Sequence, residues 1–145
     1  MTTLRPLFGF AIAACSCIVF NANAMAETMT FTAKLDTASE VPAGTGTGAG
    51  SLTASFDTAS KQLSWKGSFS GLTGDATAAH FHGPAGEGAS AGIVIPIASF
   101  KSPFTGTAPL TDAQLVDLAA GKWYVNIHTA KNPGGEIRGQ VVKDK

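Results

Sequence analysis

From residue 29 onward, apolar and polar side chains alternate in short runs. Met29, Phe31, Ala33 and Leu35 alternate with Thr30, Thr32 and Lys34, the period of a strand with one face buried. Leu52, Ala54 and Phe56 repeat the pattern against Thr53 and Ser55, and Leu63, Trp65, Gly67 and Phe69 repeat it against Ser64, Lys66 and Ser68. Asp57-Thr58-Ala59-Ser60-Lys61 between them has turn chemistry, which predicts a hairpin. Ala76 to His82 reads as a fourth strand. Gly92 to Ile97 reads as a fifth, and its nearly continuous apolar run predicts a central position in a sheet. Thr111 to Ala120 is the one helical segment, with Thr111 to cap it, Leu115 and Leu118 on one face and Gly121 to end it. Trp123, Val125 and Ile127 then alternate with Tyr124, Asn126 and His128, and a last strand runs from Glu136 to Val142. Short strands, Gly/Pro-rich links and one brief helix predict an all-β fold, a β-sandwich or Greek-key barrel.

The first 26 residues do not fit this pattern. Arg5, an apolar stretch from Leu7 to Phe20, and small residues in Ala22-Asn23-Ala24 or Ala24-Met25-Ala26 make a secretory signal. The division is therefore a signal peptide over 1–26 and one β domain over 27–145, placed in the periplasm or outside the cell. Ile12-Ala13-Ala14-Cys15 also resembles a lipoprotein processing box, which would leave a lipid anchor on Cys15; apolar Ile18, Val19 and Phe20 follow where a polar tether belongs. Cys15 and Cys17 both lie in the leader, so the processed domain has no disulfide, thiolate metal site or Cys nucleophile.

Charge narrows the partners. Charged residues are 14% of the chain and the formal net charge is zero, with no basic stripe. Nucleic acid is thus not the expected ligand. No apolar stretch after the leader is long enough to span a bilayer. What remains is a protein, glycan or metal partner in the cell envelope.

The three His residues lie in the two most distinctive segments. His80 and His82 stand two apart, so on a strand both face the side opposite Phe81. With Phe81 in the core, the pair is expected to face solvent. His128 follows the same logic, because Val125 and Ile127 take the core side. On the last strand Ile137 points inward, which puts Glu136, Arg138 and Gln140 outside. If the strands are neighbours, His80, His82 and His128 meet on the outer face and can hold one Cu(II) or Zn(II) ion with an open position. The bland alternative has the rings bonding loop carbonyls and fixing the Gly83-Pro84 and Asn132-Pro133 turns. Glu136 and Arg138 read as an exposed pair of little energetic weight. Glu40 in Ser39-Glu40-Val41-Pro42 reads as a turn cap or an acceptor for a backbone N–H. No Gly-x-Ser-x-Gly elbow and no phosphate loop occurs.

Ala79-His80-Phe81-His82-Gly83-Pro84-Ala85 resembles the hallmark of the CHRD (chordin-type) domain. Trp123-Tyr124-Val125-Asn126-Ile127-His128-Thr129, with Asn132 to Gln140 after it, resembles that family's C-terminal signature, and Glu40-Val41-Pro42 matches near the start. The likeness runs from Phe31 to Val141. It implies an extracellular domain and, through a distant similarity to copper-zinc superoxide dismutase, an immunoglobulin-like Greek-key barrel. It also implies that His80, His82, His128 and Arg138 occupy positions lining a copper ion, with Arg138, Glu136 and Asn126 around the metal or steering an anion to it. No fourth His, zinc cluster or disulfide is present, so a dinuclear dismutase site is not expected. Three readings follow: a non-catalytic binding module, which the lack of a catalytic constellation favours; a mononuclear copper or zinc protein; and a dismutase-like redox enzyme.

Overall fold

The computed structural model describes residues 26–145, so all of the expected leader but Ala26, with the Ala22-Asn23-Ala24 cleavage frame and the Cys15 lipoprotein box, lies outside the described residues. Eight strands and one helix follow in the order β1 (Thr28–Asp36), β2 (Ala49–Asp57), β3 (Gln62–Ser70), β4 (Ala76–His82), β5 (Ile93–Pro96), β6 (Phe104–Pro109), α1 (Asp112–Ala119), β7 (Trp123–Thr129) and β8 (Ile137–Lys143). They form one antiparallel sheet with the strand order β5-β4-β7-β8-β1-β2-β3-β6.

The sheet folds over on itself because each strand carries one apolar face that has to be covered. Phe31, Leu35, Leu52, Phe56 and Leu63 from β1 to β3 are fully buried, as are Phe81, Val125, Ile127, Ile137 and Val141 from β4, β7 and β8. Trp65 on β3 and Phe81 on β4 show the closure most directly. Each belongs to the second strand from its end of the sheet, yet their rings meet edge-on with centroids 5.1 Å apart. The result is a nearly closed sandwich, and the expected hairpin joins β2 to β3, with Phe56 opposite Leu63.

Two elements differ from the reading of the sequence. The fifth strand is short and lies at the sheet edge, not in its centre. Its apolar run is buried only toward its end: Ile95 and Ile97 enter the core while Ile93, opposite the irregular end of β4, is 56% exposed. Pro96 has no N–H to give a second neighbour, which confines such a strand to an edge. β6 was not foreseen, since Thr105, Gly106, Thr107 and Ala108 give a weak apolar signal. Small residues are required there: a Cβ on Gly106 would run into the Trp65 indole. The helix matches closely. Thr111 caps it, its hydroxyl accepting from the Gln114 N–H while the Gln114 side chain accepts from the Thr111 N–H, and Gly121 leaves it with φ +70°. Among the described residues no helix is long and apolar enough to cross a membrane.

Because Phe81 links the two halves of the sandwich, Phe81→Ala is expected to cost about 3–5 kcal/mol. Urea unfolding measures this, and a loss below about 1 kcal/mol would mean that the closure does not depend on the ring.

Candidate metal centre

β4 and β7 are antiparallel neighbours, with His80 opposite Asn126, His82 opposite Tyr124 and Ala78 opposite His128. Ala79, Phe81, Val125 and Ile127 occupy the core side. Alternation therefore places His80, His82, Tyr124, Asn126 and His128 together on the other face, and β8 adds Arg138 opposite Asn126 and Gln140 opposite Tyr124.

That face is not solvent-exposed, contrary to expectation. The segment after β4, residues 83–92, folds back over it and is tied down through its backbone. Arg138 Nη2 donates to Ala89 O at 2.7 Å and Gly86 O at 3.3 Å. Gln140 Nε2 donates to Ala85 O at 2.8 Å and Gly121 O at 2.7 Å. The Tyr124 hydroxyl contacts both N and O of Ala91, and His82 Nδ1 lies 3.0 Å from Ala91 O. The stack is aromatic as well as polar: the His82 and Tyr124 rings are parallel at 4.8 Å, and the Arg138 guanidinium sits 3.5 Å from the Tyr124 centroid. His82, Asn126 and Arg138 are consequently buried, and His80 and His128 half-buried.

The three imidazoles come together. His80 Nδ1 is 3.0 Å from His128 Nε2, and one ring nitrogen from each of the three His residues lies within 4.8 Å of the others. Two of the rings are oriented from behind. His128 Nδ1 is 2.9 Å from Pro133 O and His82 Nδ1 is 3.0 Å from Ala91 O. A carbonyl only accepts, so each Nδ1 is the N–H bearing nitrogen and each Nε2 turns toward the cluster. Outer hydrogen bonds of this kind fix the tautomer of ligating histidines. Burial pushes the His80 pKa down, and the neighbouring His128 and His82 push it further. Burial also lowers His128, aided by His82 and opposed by the Pro133 carbonyl. Both rings are thereby kept in the neutral, ligand-competent form.

Arg138 and Glu136 are not the exposed pair expected from their spacing, and they form no ion pair; Lys61–Asp112 at 2.8 Å is the one salt bridge among the described residues. Arg138 is 2% exposed and donates to loop carbonyls. Glu136 lies just before β8, and its carboxylate accepts from Thr73 N (2.6 Å), Thr73 Oγ1 (2.7 Å), Thr129 Oγ1 (2.5 Å) and Asn132 Nδ2 (2.9 Å). Burial pushes its pKa up, but these donors outweigh burial and hold the carboxyl at about 2. It clamps the β3–β4 and β7–β8 connections together.

Glu40 is deeper than a turn cap. It is 8% exposed and packs against Gly135 beside the Asn126 amide, where even a Cβ on Gly135 would not fit. Burial raises its pKa, opposed by the Val41 N–H, Arg138 and Asn126. Sequence reasoning assigns Tyr124 and Gln140 no role and Glu40 only a turn's, because their roles depend on which loop covers them. Only the ten-residue spacing from Gly83 to Gly92 hinted that a cover existed.

A family model for the CHRD domain matches residues 31–141, and the chain belongs to that family. Searches of curated proteins and of solved structures each found no significant match.

The Glu136 carboxyl is depressed in the folded chain from an ordinary value of 4.5 to about 2. Its stabilisation is full above pH 4.5 and lost as pH falls toward 2. Glu136→Gln is expected to cost on the order of 2–3 kcal/mol at pH 7 and to narrow the gap to the unchanged protein as pH falls through that window. Urea midpoints at pH 7, 4 and 2.5 report it; a constant gap would remove the clamp.

Proposed function

We propose that this CHRD protein is an exported, non-catalytic binding module whose ligand is a single Cu(II) or Zn(II) ion held by His80, His82 and His128. The observation that carries the reading is the orientation of the rings. His82 and His128 each have Nδ1–H fixed on a backbone carbonyl and Nε2 turned toward the shared space. His80 Nδ1 lies 3.0 Å from His128 Nε2, so the nitrogens of all three rings converge on one shared space. Zinc–imidazole bonds of about 2.0–2.1 Å place two ligands at most about 4.2 Å apart, so the widest side of the triangle closes by a small side-chain movement. Export rests on the pattern of residues 1–26, and it would put the site where exchangeable metal is met.

Metal-stripped protein titrated with Cu(II), followed by calorimetry and electron paramagnetic resonance, is expected to show one stoichiometric, nitrogen-ligated site. Each single His→Ala change is expected to weaken it at least about tenfold, or about 1.4 kcal/mol. Weak, non-stoichiometric binding that is equal in the triple variant would make the rings structural and turn the search to a protein or glycan partner.

A further inference from the structure

Three imidazoles leave a four-coordinate ion one ligand short, and the residue at the centre of the cluster is not a histidine. Asn126 is directly opposite His80 across the strand pair, diagonal to His82 and two residues before His128 on the same face. It is 3% exposed, and its Oδ1 lies 3.1 Å from His82 Nε2. We propose that Asn126 Oδ1 is the fourth donor of the metal centre, giving an N3O set, and that Glu40 orients the amide. This rests on the three-histidine reading above.

Two distances support it. His82 Nε2 to Asn126 Oδ1 is 3.1 Å and His80 Nδ1 to His128 Nε2 is 3.0 Å. Ligands with bonds of about 2.1 Å at right angles around an ion are separated by about 3.0 Å. Both contacts thus have the span of one edge of a coordination polyhedron. The His80–His128 contact also serves as an ordinary bond, His80 Nδ1–H to the free lone pair of His128 Nε2, but the His82–Asn126 contact is awkward as one. His82 Nδ1 already donates to Ala91 O, so a bond from Nε2 to Asn126 Oδ1 needs a second N–H on the same ring. Without it, two lone pairs face each other, the arrangement a cation resolves.

An amide can present either end, and what lies behind it decides which. The NH2 end of Asn126 lies beside Glu40 at Gly135, and this leaves the oxygen toward the histidines. Glu40 Oε1 is buried without a hydrogen-bond partner, in reach of Arg138 and the Asn126 amide. Imidazole and amide-oxygen donors favour a divalent, borderline ion over Cu(I), which prefers thiolate and thioether.

The test compares the unchanged protein with Asn126→Asp, Asn126→Leu and Glu40→Met. Asn126→Asp keeps an oxygen donor and adds charge. It is expected to bind Cu(II) at least as tightly and to shift the g∥ value while three nitrogens remain coupled. Asn126→Leu is expected to lose at least tenfold in affinity, and Glu40→Met to lose several-fold with a broadened spectrum. Near-ultraviolet circular dichroism of each metal-free variant separates a lost ligand from a lost fold; should the Leu variant not fold, Asn126→Asp decides alone. If folded Asn126→Asp binds with unchanged g∥, or binds more weakly, Asn126 is not a ligand and the three-histidine site stands without it. If the unchanged protein takes up no stoichiometric Cu(II), both readings fall together.

Discussion

Phe81 cannot stay in the core without turning both of its neighbours to the opposite face. It is fully buried, it meets Trp65 across the closing sandwich, and it lies within 6.1 Å of Trp123, measured between ring centroids. A strand alternates strictly, so His80 and His82 have no choice of side once that ring is placed. Val125 and Ile127 impose the same choice on Asn126 and His128. Because β4 and β7 pair in a fixed register, the hydrophobic core sets the positions of four polar side chains it never touches. A slip of one residue would bury the histidines and expose Phe81. The candidate centre is held in place by the strongest constraint in the fold.

The outer face then has a second problem, since a cluster of imidazoles, an amide and a guanidinium is costly to cover. The covering segment meets that cost with its own backbone. Carbonyls of Ala85, Gly86, Ala89 and Ala91 accept from Gln140, Arg138 and His82. Of its glycines only Gly83, at the start of the segment, is tightly hemmed in, where a Cβ would run into the Trp123 indole. Arg138 is therefore best understood as a staple for this loop. Its charge is spread over carbonyl dipoles and the Tyr124 ring, and it also lies near enough to Glu40 to ease that burial.

The alternation of β1 to β4 and of β7, the hairpin, the capped helix and the gathering of three histidines were all legible in the sequence, because each follows from local periodicity or turn chemistry. The edge position of β5 was also written there, in Pro96, but the apolar run around it was the louder signal. β6 was not legible: of its inward residues only Phe104 is large, and Gly106 and Ala108 give little apolar signal, Gly106 because the Trp65 indole fills the place of a side chain. The burial of Arg138, Glu136 and Glu40 failed for a different reason. Periodicity says which face of a strand a residue occupies, and it says nothing about whether a loop from elsewhere lies on that face. The family model spans the whole of this arrangement, from Phe31 on β1 to Val141 on β8.

Two polar clusters at one end of the sheet show what separates a structural group from a waiting site. Around Glu136, one carboxylate receives four donors, one on Oε1 and three on Oε2, and they outweigh burial to hold its pKa at about 2. Around Asn126 the balance runs the other way. His82 Nε2 faces an oxygen, His80 faces His128, and Glu40 Oε1 has no close donor behind them. His80 can donate to His128, so the shortage falls on His82 Nε2 against Asn126 Oδ1 and on Glu40 Oε1, with Gln140 Oε1 also unpartnered on the same face. A cation is what the proposal above brings to that shortage. The same chain supplies donors in full a few residues away, so the shortage belongs to the cluster itself and not to a scarcity of Ser, Thr or Asn nearby.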